Sequence, residues 1–177
     1  MIPEKFYFLR HGESINNKNG LVNGWTDCAL TIKGLQQAKK AAEVLKNYKI
    51  ERIVTSDLMR AIETANEVAK MHEKLKVETF KGLRERNWGE YENKSRETLP
   101  NLFINPLQGE SWTEYFQRVE NTLSNINLNE NVLIVGHAGT MRVLNIILGY
   151  GDKSSRIPNS TPIEINLRNQ NPLNFLK

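Results

Sequence analysis

The sequence has little of what marks a secreted, membrane-spanning or disulfide-bonded protein. Its 177 residues include one cysteine, Cys28, which excludes an internal disulfide and fits a reducing compartment. Its apolar runs are far shorter than the roughly 20 residues that span a bilayer. The N-terminus lacks the charged and apolar regions of a signal peptide. We therefore expect a soluble, cytoplasmic protein without a membrane partner.

The sequence also lacks common metal, nucleotide and nucleic-acid signatures. It contains neither a His-Glu-x-x-His pattern nor a P-loop lysine pattern, so we expect no metal and no cofactor. The formal net charge is +4, and the lysines and arginines are scattered rather than gathered in a tail. Such scattering argues against a nucleic-acid partner. A mild positive excess would still attract a small anionic molecule.

Strand patterns alternate with helix patterns along the chain. Short apolar runs predict strands at 6–9, 50–54, 76–80, 132–135 and 162–167, the last near the sheet edge. Helical spacing predicts helices at 31–48, 56–71, 112–126 and 139–148, with Thr31 and Ser56 as caps of the first two. This alternation predicts an α/β protein with three layers, α/β/α, around a mostly parallel central sheet.

The length fits a single domain, residues 1–177, with a catalytic core at about 4–150. Residues 83–112, called the covering segment below, have the least regular pattern and contain Pro100 and Pro106. We expect a loop or short helices there, placed over a site. The tail after Leu167 could cover the site, pair with a partner, or do neither.

Residues that could act in catalysis or bind phosphate follow the predicted strands. Arg10 and His11 come at the end of the first strand, followed by Gly12, which permits a tight turn. A neutral imidazole with one free nitrogen is a nucleophile, and an arginine fork fits phosphate oxygens. A structural histidine beside a surface arginine is the alternative. Asn17 lies a few positions further on.

Three other clusters follow the later strands. Arg60 falls in the second helix, Glu85 lies in a loop after the third strand, and His137 separates the strongest strand from a helix. Each alone also fits an ordinary role: a solvated arginine, a surface ion pair worth about 0–1 kcal/mol, or a core histidine. Because ligands bind beyond the carboxyl ends of parallel strands, we expect all of them to meet around one phosphate dianion.

These residues and their spacing resemble the histidine phosphatase superfamily, which includes the cofactor-dependent phosphoglycerate mutases. The stretch Leu-Arg-His-Gly-Glu-Ser carries most of the resemblance, which runs from Phe6 to about Gly149. It implies a phosphoglycerate mutase-like fold, a nucleophilic His11 that becomes phosphorylated, and a proton-transferring Glu85. It implies phosphate binding by Arg10, Asn17, Arg60 and His137. For substrate binding we name Asn23, Gly24 and Ala138.

The sequence departs from the mutases in ways that favour hydrolysis. Only 52 positions separate Glu85 from His137, and the basic insert expected there is missing. Gly109 to Trp112 resembles the short phosphatase branch, which includes the alpha-ribazole phosphatases. We therefore expect a metal-independent phosphatase acting on a small phosphorylated substrate. Phosphoglycerate mutase, protein phosphohistidine phosphatase and an inactive binding module are the alternatives. The physiological ester and the oligomeric state, a homodimer included, stay open.

Overall fold

A computed structural model of the protein describes residues 5–73, 75–126, 131–151, 157–168 and 173–176. Six strands form one sheet in the order β3-β2-β4-β1-β5-β6. The strands are β1 (Lys5–Arg10), β2 (Arg52–Thr55), β3 (Val77–Thr79), β4 (Val132–Gly136), β5 (Ile163–Asn166) and β6 (Leu173–Phe175). The first four are mutually parallel, whereas β5 runs antiparallel to both of its neighbours. The prediction of a mostly parallel sheet is confirmed.

Helices cover both faces of this sheet, as the alternating pattern predicted. They are α1 (Ile15–Lys18), α2 (Ile32–Leu45), α3 (Met59–Ala69), α4 (Trp112–Asn125) and α5 (Ala138–Ile147). Helices α2 and α3 pack together on one face, and α4 and α5 pack together on the other. The three-layer α/β/α architecture is thereby confirmed.

The central strand β1 contributes to two separate hydrophobic cores. Phe6 and Phe8 belong to the core under α4 and α5, whereas Tyr7 and Leu9 belong to the core under α2 and α3. All four side chains are at most 2% exposed, because successive residues of a strand point to opposite faces. Burial on both faces explains why the sequence shows a continuous apolar run here.

Of the two predicted helix caps, one is confirmed and the other is wrong. Thr31 caps α2, since its side chain accepts a hydrogen bond from the backbone N–H of Gly34. Ser56 does not cap α3: its hydroxyl accepts from the Leu58 N–H, and α3 begins only at Met59. The Met59 N–H instead donates to the carboxylate of Asp27 over 2.7 Å. An acceptor supplied by a distant loop therefore replaces the local cap.

Other differences from the prediction lie at the surface. Helical spacing places Leu35 on the same face as Ala38, but Leu35 is 36% exposed, since Gly34 and Ala38 take the buried positions of α2. The tail contributes strand β6, which the sequence pattern did not predict, and β5 therefore lies one strand in from the sheet edge. Pro172 of the tail and residue 4 lie outside the described residues.

The covering segment consists mainly of loops with short helical turns, as expected. Two 3₁₀ turns, Gly89–Tyr91 and Arg96–Thr98, lie within it, and a third, Lys81–Leu83, ends at its first residue. Asn93 adopts the left-handed backbone region with a φ of 62°. Glycine and asparagine are the residues that tolerate this region best. Asparagine is therefore suited to this position.

Candidate active site

The central pair of strands brings two histidines together. Strands β1 and β4 are parallel neighbours with Arg10 in register with Gly136. The N–H of His11 donates to the Gly136 carbonyl over 3.0 Å, and His137 follows at once. The two imidazole rings are therefore adjacent, with their centroids 5.2 Å apart.

Hydrogen bonds fix the ring of His11 in one tautomer. Its Nδ1 lies 2.7 Å from the carbonyl oxygen of Gly12, which can only accept, so Nδ1 carries the hydrogen. The neutral ring then has a bare Nε2. Burial, followed by the charges of Arg60 and Arg10, holds the pKa of His11 well below its usual value. The imidazole is therefore neutral at physiological pH, as a nucleophile must be.

The backbone around His11 is held from two distant parts of the chain. The Gly12 N–H donates to the hydroxyl of Thr64 on α3 over 3.0 Å. Asn159 donates from its side chain to the His11 carbonyl over 2.8 Å. A Cβ at position 12 would lie 2.4 Å from the Gly34 carbonyl oxygen, so only glycine fits there. The nucleophile candidate thus has a fixed position before any substrate binds.

His137 is fully buried, and both of its ring nitrogens lack a partner among the described residues. Burial lowers its pKa well below the ordinary value, and the Arg60 charge lowers it further. A neutral imidazole has one N–H, which can donate to a phosphoryl oxygen. Unpaired buried polar atoms cost free energy, and a ligand that hydrogen-bonds this ring would remove that cost.

Arg60 is a fully buried arginine on α3 whose guanidinium reaches the same place. Its Nη1 donates to the Thr26 carbonyl over 3.0 Å, and its Nη2 donates to the Gly24 carbonyl over 2.8 Å. Nε of Arg60 and Nε of Arg10 are buried without a partner in the described part of the chain. Arg10 donates from Nη1 to the Ile157 carbonyl over 2.7 Å. Two oriented cations therefore retain free N–H groups.

Glu92 of the covering segment holds the turn that carries these carbonyls. Its Oε1 accepts from the Trp25 N–H over 2.7 Å and from the Trp88 N–H over 3.1 Å. Its Oε2 accepts from both the backbone N–H and the hydroxyl of Thr26, over 2.6 and 2.7 Å. Glu92 therefore positions the backbone oxygens to which Arg60 binds.

Glu85 approaches the histidines from the covering segment. Its Oε1 accepts from the Arg86 N–H over 2.8 Å, and its Oε2 accepts from the Gly139 N–H over 3.1 Å, at the N-terminus of α5. The Glu85 carbonyl in turn accepts from the indole of Trp25 and from Arg118. Both the carboxyl group and the backbone of Glu85 are thereby fixed at the strand ends.

A cavity of about 520 Å³ joins these groups. Its lining includes every predicted site residue except His137, whose ring lies beside that of His11. The predicted residues on the wall are Arg10, His11, Asn17, Asn23, Gly24, Arg60, Glu85 and Ala138. The structure thus brings all the candidates to one site, and their assigned roles remain predictions.

Two of the predicted binding residues use part of their side chains in the wall itself. Oδ1 of Asn17 accepts from the Ser14 N–H and from the Asn159 side chain, both over 3.3 Å. The amide of Asn23 bonds the hydroxyl of Ser14, and its Oδ1 accepts from the thiol of Cys28. Asn23 therefore supports the turn around the site at least as much as it faces the cavity.

Sequence reasoning missed several residues that the site depends on. Asn159 comes 148 positions after the residue that it contacts, so no local pattern indicates it. Glu92 and Arg118 act through backbone carbonyl and N–H groups, which a side-chain pattern does not reveal. Tyr115 is buried beneath Glu85, and burial raises its pKa well above the usual value. Its place on the inner face of α4 was the one available signal.

Metal-binding clusters and membrane-spanning helices are both missing from the described residues. No three histidine, cysteine, aspartate or glutamate side chains gather there in a way that could hold a metal ion. Within the same residues, every helix is too short or too polar to cross a bilayer.

Comparison with known proteins identifies the family. The model of the histidine phosphatase superfamily (branch 1) matches residues 6–165, so the chain belongs to this superfamily. Phosphoglycerate mutase 1 of Saccharomyces cerevisiae is 38% identical over 100 residues, which cover 54% of this chain and 40% of that protein. The 2,3-bisphosphoglycerate-dependent phosphoglycerate mutase of Methanococcus vannielii is 47% identical over 57 residues, or 32% and 24%. The matches thus span less than half of these relatives.

Solved structures resemble the whole fold. The protein TTHB049 from Thermus thermophilus has a TM-score of 0.78 and 25% identity, covering 97% of this chain and 98% of that one. An Escherichia coli protein, provisionally described as an alpha-ribazole-5'-P phosphatase, has a TM-score of 0.81 and 24% identity over 97% and 93%. A phosphoglycerate mutase from Thermus thermophilus has a TM-score of 0.78 and 24% identity over 98% of both chains.

Proposed function

We propose that this protein is a metal-independent phosphatase that hydrolyses small phosphate monoesters through a phosphohistidine on His11. One observation carries the proposal. His11 has its hydrogen committed at Nδ1 to the Gly12 carbonyl, so the bare Nε2 belongs to a ring that lines the cavity between Arg10, Arg60 and Glu85. A fixed, neutral imidazole among cations is suited to attack a phosphorus atom.

The phosphate is bound by side chains whose N–H groups have no hydrogen-bond partner among the described residues. Arg10 and Arg60 retain buried Nε–H groups, and His137 retains its ring N–H, all without partners in the described residues. The amide nitrogen of Asn17 adds a neutral donor, since its Oδ1 is used in the wall. Because these donors are fixed before the reaction, they stabilise the charge on the equatorial phosphoryl oxygens without reorganising.

The reaction then proceeds in two displacements at phosphorus. Nε2 of His11 forms the P–N bond while the P–O bond to the leaving alcohol breaks, and Glu85 gives that oxygen its proton. Such general acid catalysis contributes roughly 10²–10⁴-fold. In the second step Glu85 takes a proton from water, and the water oxygen attacks phospho-His11. The P–N bond breaks, inorganic phosphate forms, and His11 and Glu85 return to their starting states.

Phosphoglycerate mutase is the second candidate, because the curated relatives with 38–47% identity are phosphoglycerate mutases. The short interval between Glu85 and His137 favours water as the acceptor, although a mutase of similar length shares the fold. A protein phosphohistidine phosphatase is less consistent with a cavity walled by the covering segment. Asn23, Gly24 and Ala138 line the cavity and would contact the leaving group in either reaction.

The decisive experiment traps the phosphoenzyme. Purified protein incubated with a labelled aryl phosphate should accumulate an acid-labile, base-stable phosphoenzyme, and His11→Ala should abolish it. His72→Ala is the matched control, because His72 is a histidine outside the cavity lining. Label retained in the His11→Ala protein would overturn the proposal. Comparing phosphate release with interconversion of 3- and 2-phosphoglycerate separates a phosphatase from a mutase.

Metal independence has its own test. The arginines supply the positive charge that a metal ion provides in other phosphoryl-transfer sites. We expect hydrolysis of an aryl phosphate to survive prolonged dialysis against EDTA. Loss of activity with the chelator, followed by recovery on adding magnesium or zinc, would contradict this part of the proposal. Cytoplasmic location and the absence of nucleic-acid and membrane partners belong to the same proposal.

A further inference from the structure

The cavity continues well beyond the place for a phosphate. Ala138, Met141 and Asn145 all line it, the last two lying three and seven residues further along α5 than the first. This spacing puts them on one face of the helix, with Asn145 about 10 Å along the axis from Ala138. Ala138 adjoins His137, so Asn145 lines a part of the cavity wall that is remote from the histidine pair.

Asn145 is an unusual residue for that remote wall. It is only 2% exposed, and its Oδ1 is buried without a hydrogen-bond partner among the described residues. Leaving such an atom unsatisfied costs about 1–3 kcal/mol. Rotation of the amide exchanges Oδ1 and Nδ2, so the side chain can accept from or donate to a ligand. An apolar residue would fit this buried helical position at lower cost.

The cavity walls outside the phosphate site are mostly apolar, apart from Arg86, Arg96 and Arg142. The apolar and aromatic residues on them are Val22, Trp88, Leu99, Leu102, Trp112, Tyr115, Met141 and Ile157. Arg86 also reaches the wall, but its guanidinium donates to three backbone carbonyls and stacks 4.4 Å from the ring of Trp88. It therefore holds the covering segment rather than offering its charge to a ligand.

We propose that Asn145 is a specificity-determining residue that hydrogen-bonds a hydroxyl group at the far end of the leaving alcohol. The preferred substrates are then monophosphates of long, largely apolar alcohols with a distal hydroxyl group. This inference rests on the proposed phosphatase function and deepens it. A hydroxyl group both donates and accepts, so either orientation of the amide satisfies it.

Two matched esters test the inference in the wild-type protein. Biphenyl-4-yl phosphate and 4'-hydroxybiphenyl-4-yl phosphate have the same length and nearly the same leaving group. They differ in one distal hydroxyl group. We expect the hydroxylated ester to have a kcat/KM about threefold to tenfold higher, which is the range that one net hydrogen bond supplies. Equal values overturn the inference, and so does turnover of neither ester where phenyl phosphate is hydrolysed.

Asn145→Leu provides the second arm, because leucine keeps the size and removes the amide. The ratio between the two biphenyl esters should fall to about one in this variant. Asn66→Leu is the control on the exposed side of α3 and should keep the wild-type ratio. A ratio that survives Asn145→Leu overturns the inference. Because the ratio is internal to each protein, it does not depend on how much enzyme folds.

A third ester distinguishes Asn145 from the arginines on the wall. Arg96 and Arg142 also line the cavity and would favour an anionic distal group. If 4'-carboxybiphenyl-4-yl phosphate is preferred to the hydroxylated ester, an arginine selects the substrate and the inference is wrong. Failure of the phosphatase proposal itself has a separate signature: hydrolysis of phenyl phosphate that does not require His11.

Discussion

The indole nitrogen of Trp25 donates a hydrogen bond of 2.8 Å to the backbone oxygen of Glu85. Trp25 stands between Gly24 and Thr26, whose carbonyl oxygens hold the guanidinium of Arg60. One turn therefore positions both Arg60, a candidate phosphate-binding cation, and the candidate proton donor Glu85. The Trp25 side chain thus links the two groups directly.

Trp25→Phe tests this link. Phenylalanine keeps an aromatic ring but removes the donor, so the Glu85 backbone loses one of its supports. We expect kcat/KM for an alkyl phosphate to fall about fivefold to tenfold, the cost of one hydrogen bond. For 4-nitrophenyl phosphate, whose leaving group needs little protonation, the change should be smaller. Equal losses for both esters would show that Trp25 does not act through Glu85.

Gly139→Ala should displace the carboxyl group of Glu85. A Cβ at this position would lie 2.2 Å from Glu85 Oε1 and 2.5 Å from the Tyr115 hydroxyl oxygen, which is closer than real contacts allow. We expect hydrolysis of alkyl phosphates to drop about 10²-fold, as misplaced catalytic groups generally do. Adding Gly139→Ala to a Glu85→Ala protein should then cost little more. Losses that simply add would assign another role to Gly139.

Glu92→Gln should weaken phosphate binding without touching the cavity wall. The variant removes the charge that receives the Trp25 and Thr26 N–H groups, so the carbonyls that hold Arg60 lose their support. We expect the inhibition constant of inorganic phosphate to rise about tenfold, within the range for hydrogen bonds to charged groups. Glu90→Gln, an exposed neighbour, is the control. A similar rise in both variants would refute the positioning role.

The buried histidines predict a loss of stability in mild acid. The folded protein holds the pKa values of His11 and His137 well below 6.5, whereas the unfolded chain binds their protons near 6.5. The unfolded state therefore binds more protons below pH 6.5, and the free energy of unfolding falls as pH falls. Each histidine contributes at most about 1.4 kcal/mol per pH unit.

Urea unfolding between pH 7.5 and 5.0 measures this effect, in a range where most carboxylates do not yet titrate. His11→Asn should have a shallower pH dependence than the wild-type protein, because one of the titrating groups is removed. Identical slopes in the two proteins would mean that His11 is protonated normally in the folded state.

The sequence was sufficient to predict five of the six described strands and the site residues that follow the parallel strands. Strand β4 is a run of apolar residues buried on both faces, so its position and the site of His137 after it followed directly. Arg10 could be assigned to the site because it directly precedes His11 at the end of the same strand. Local patterns of this kind are visible within a few residues.

The features that the sequence did not reveal depend on long-range contacts. The start of α3 is fixed by Asp27, 32 positions away, and not by the nearer Ser56. Strand β6 is short and has little apolar pattern, since it pairs only with β5 at the sheet edge. Asn159 and Glu92 likewise act on distant backbone groups. Contacts of this kind become predictable only when the three-dimensional course of the backbone is known.

The pairing of β1 with β4 has a consequence for how activity is lost. His11 and His137 each follow one of two strands that lie side by side in the middle of the sheet. The pairing of these two strands keeps the two residues adjacent. The backbones of the two histidines cannot separate while those strands stay in register. Chemical competence at His11 should therefore persist for as long as the central strands do, and disappear with the cooperative melting of the sheet.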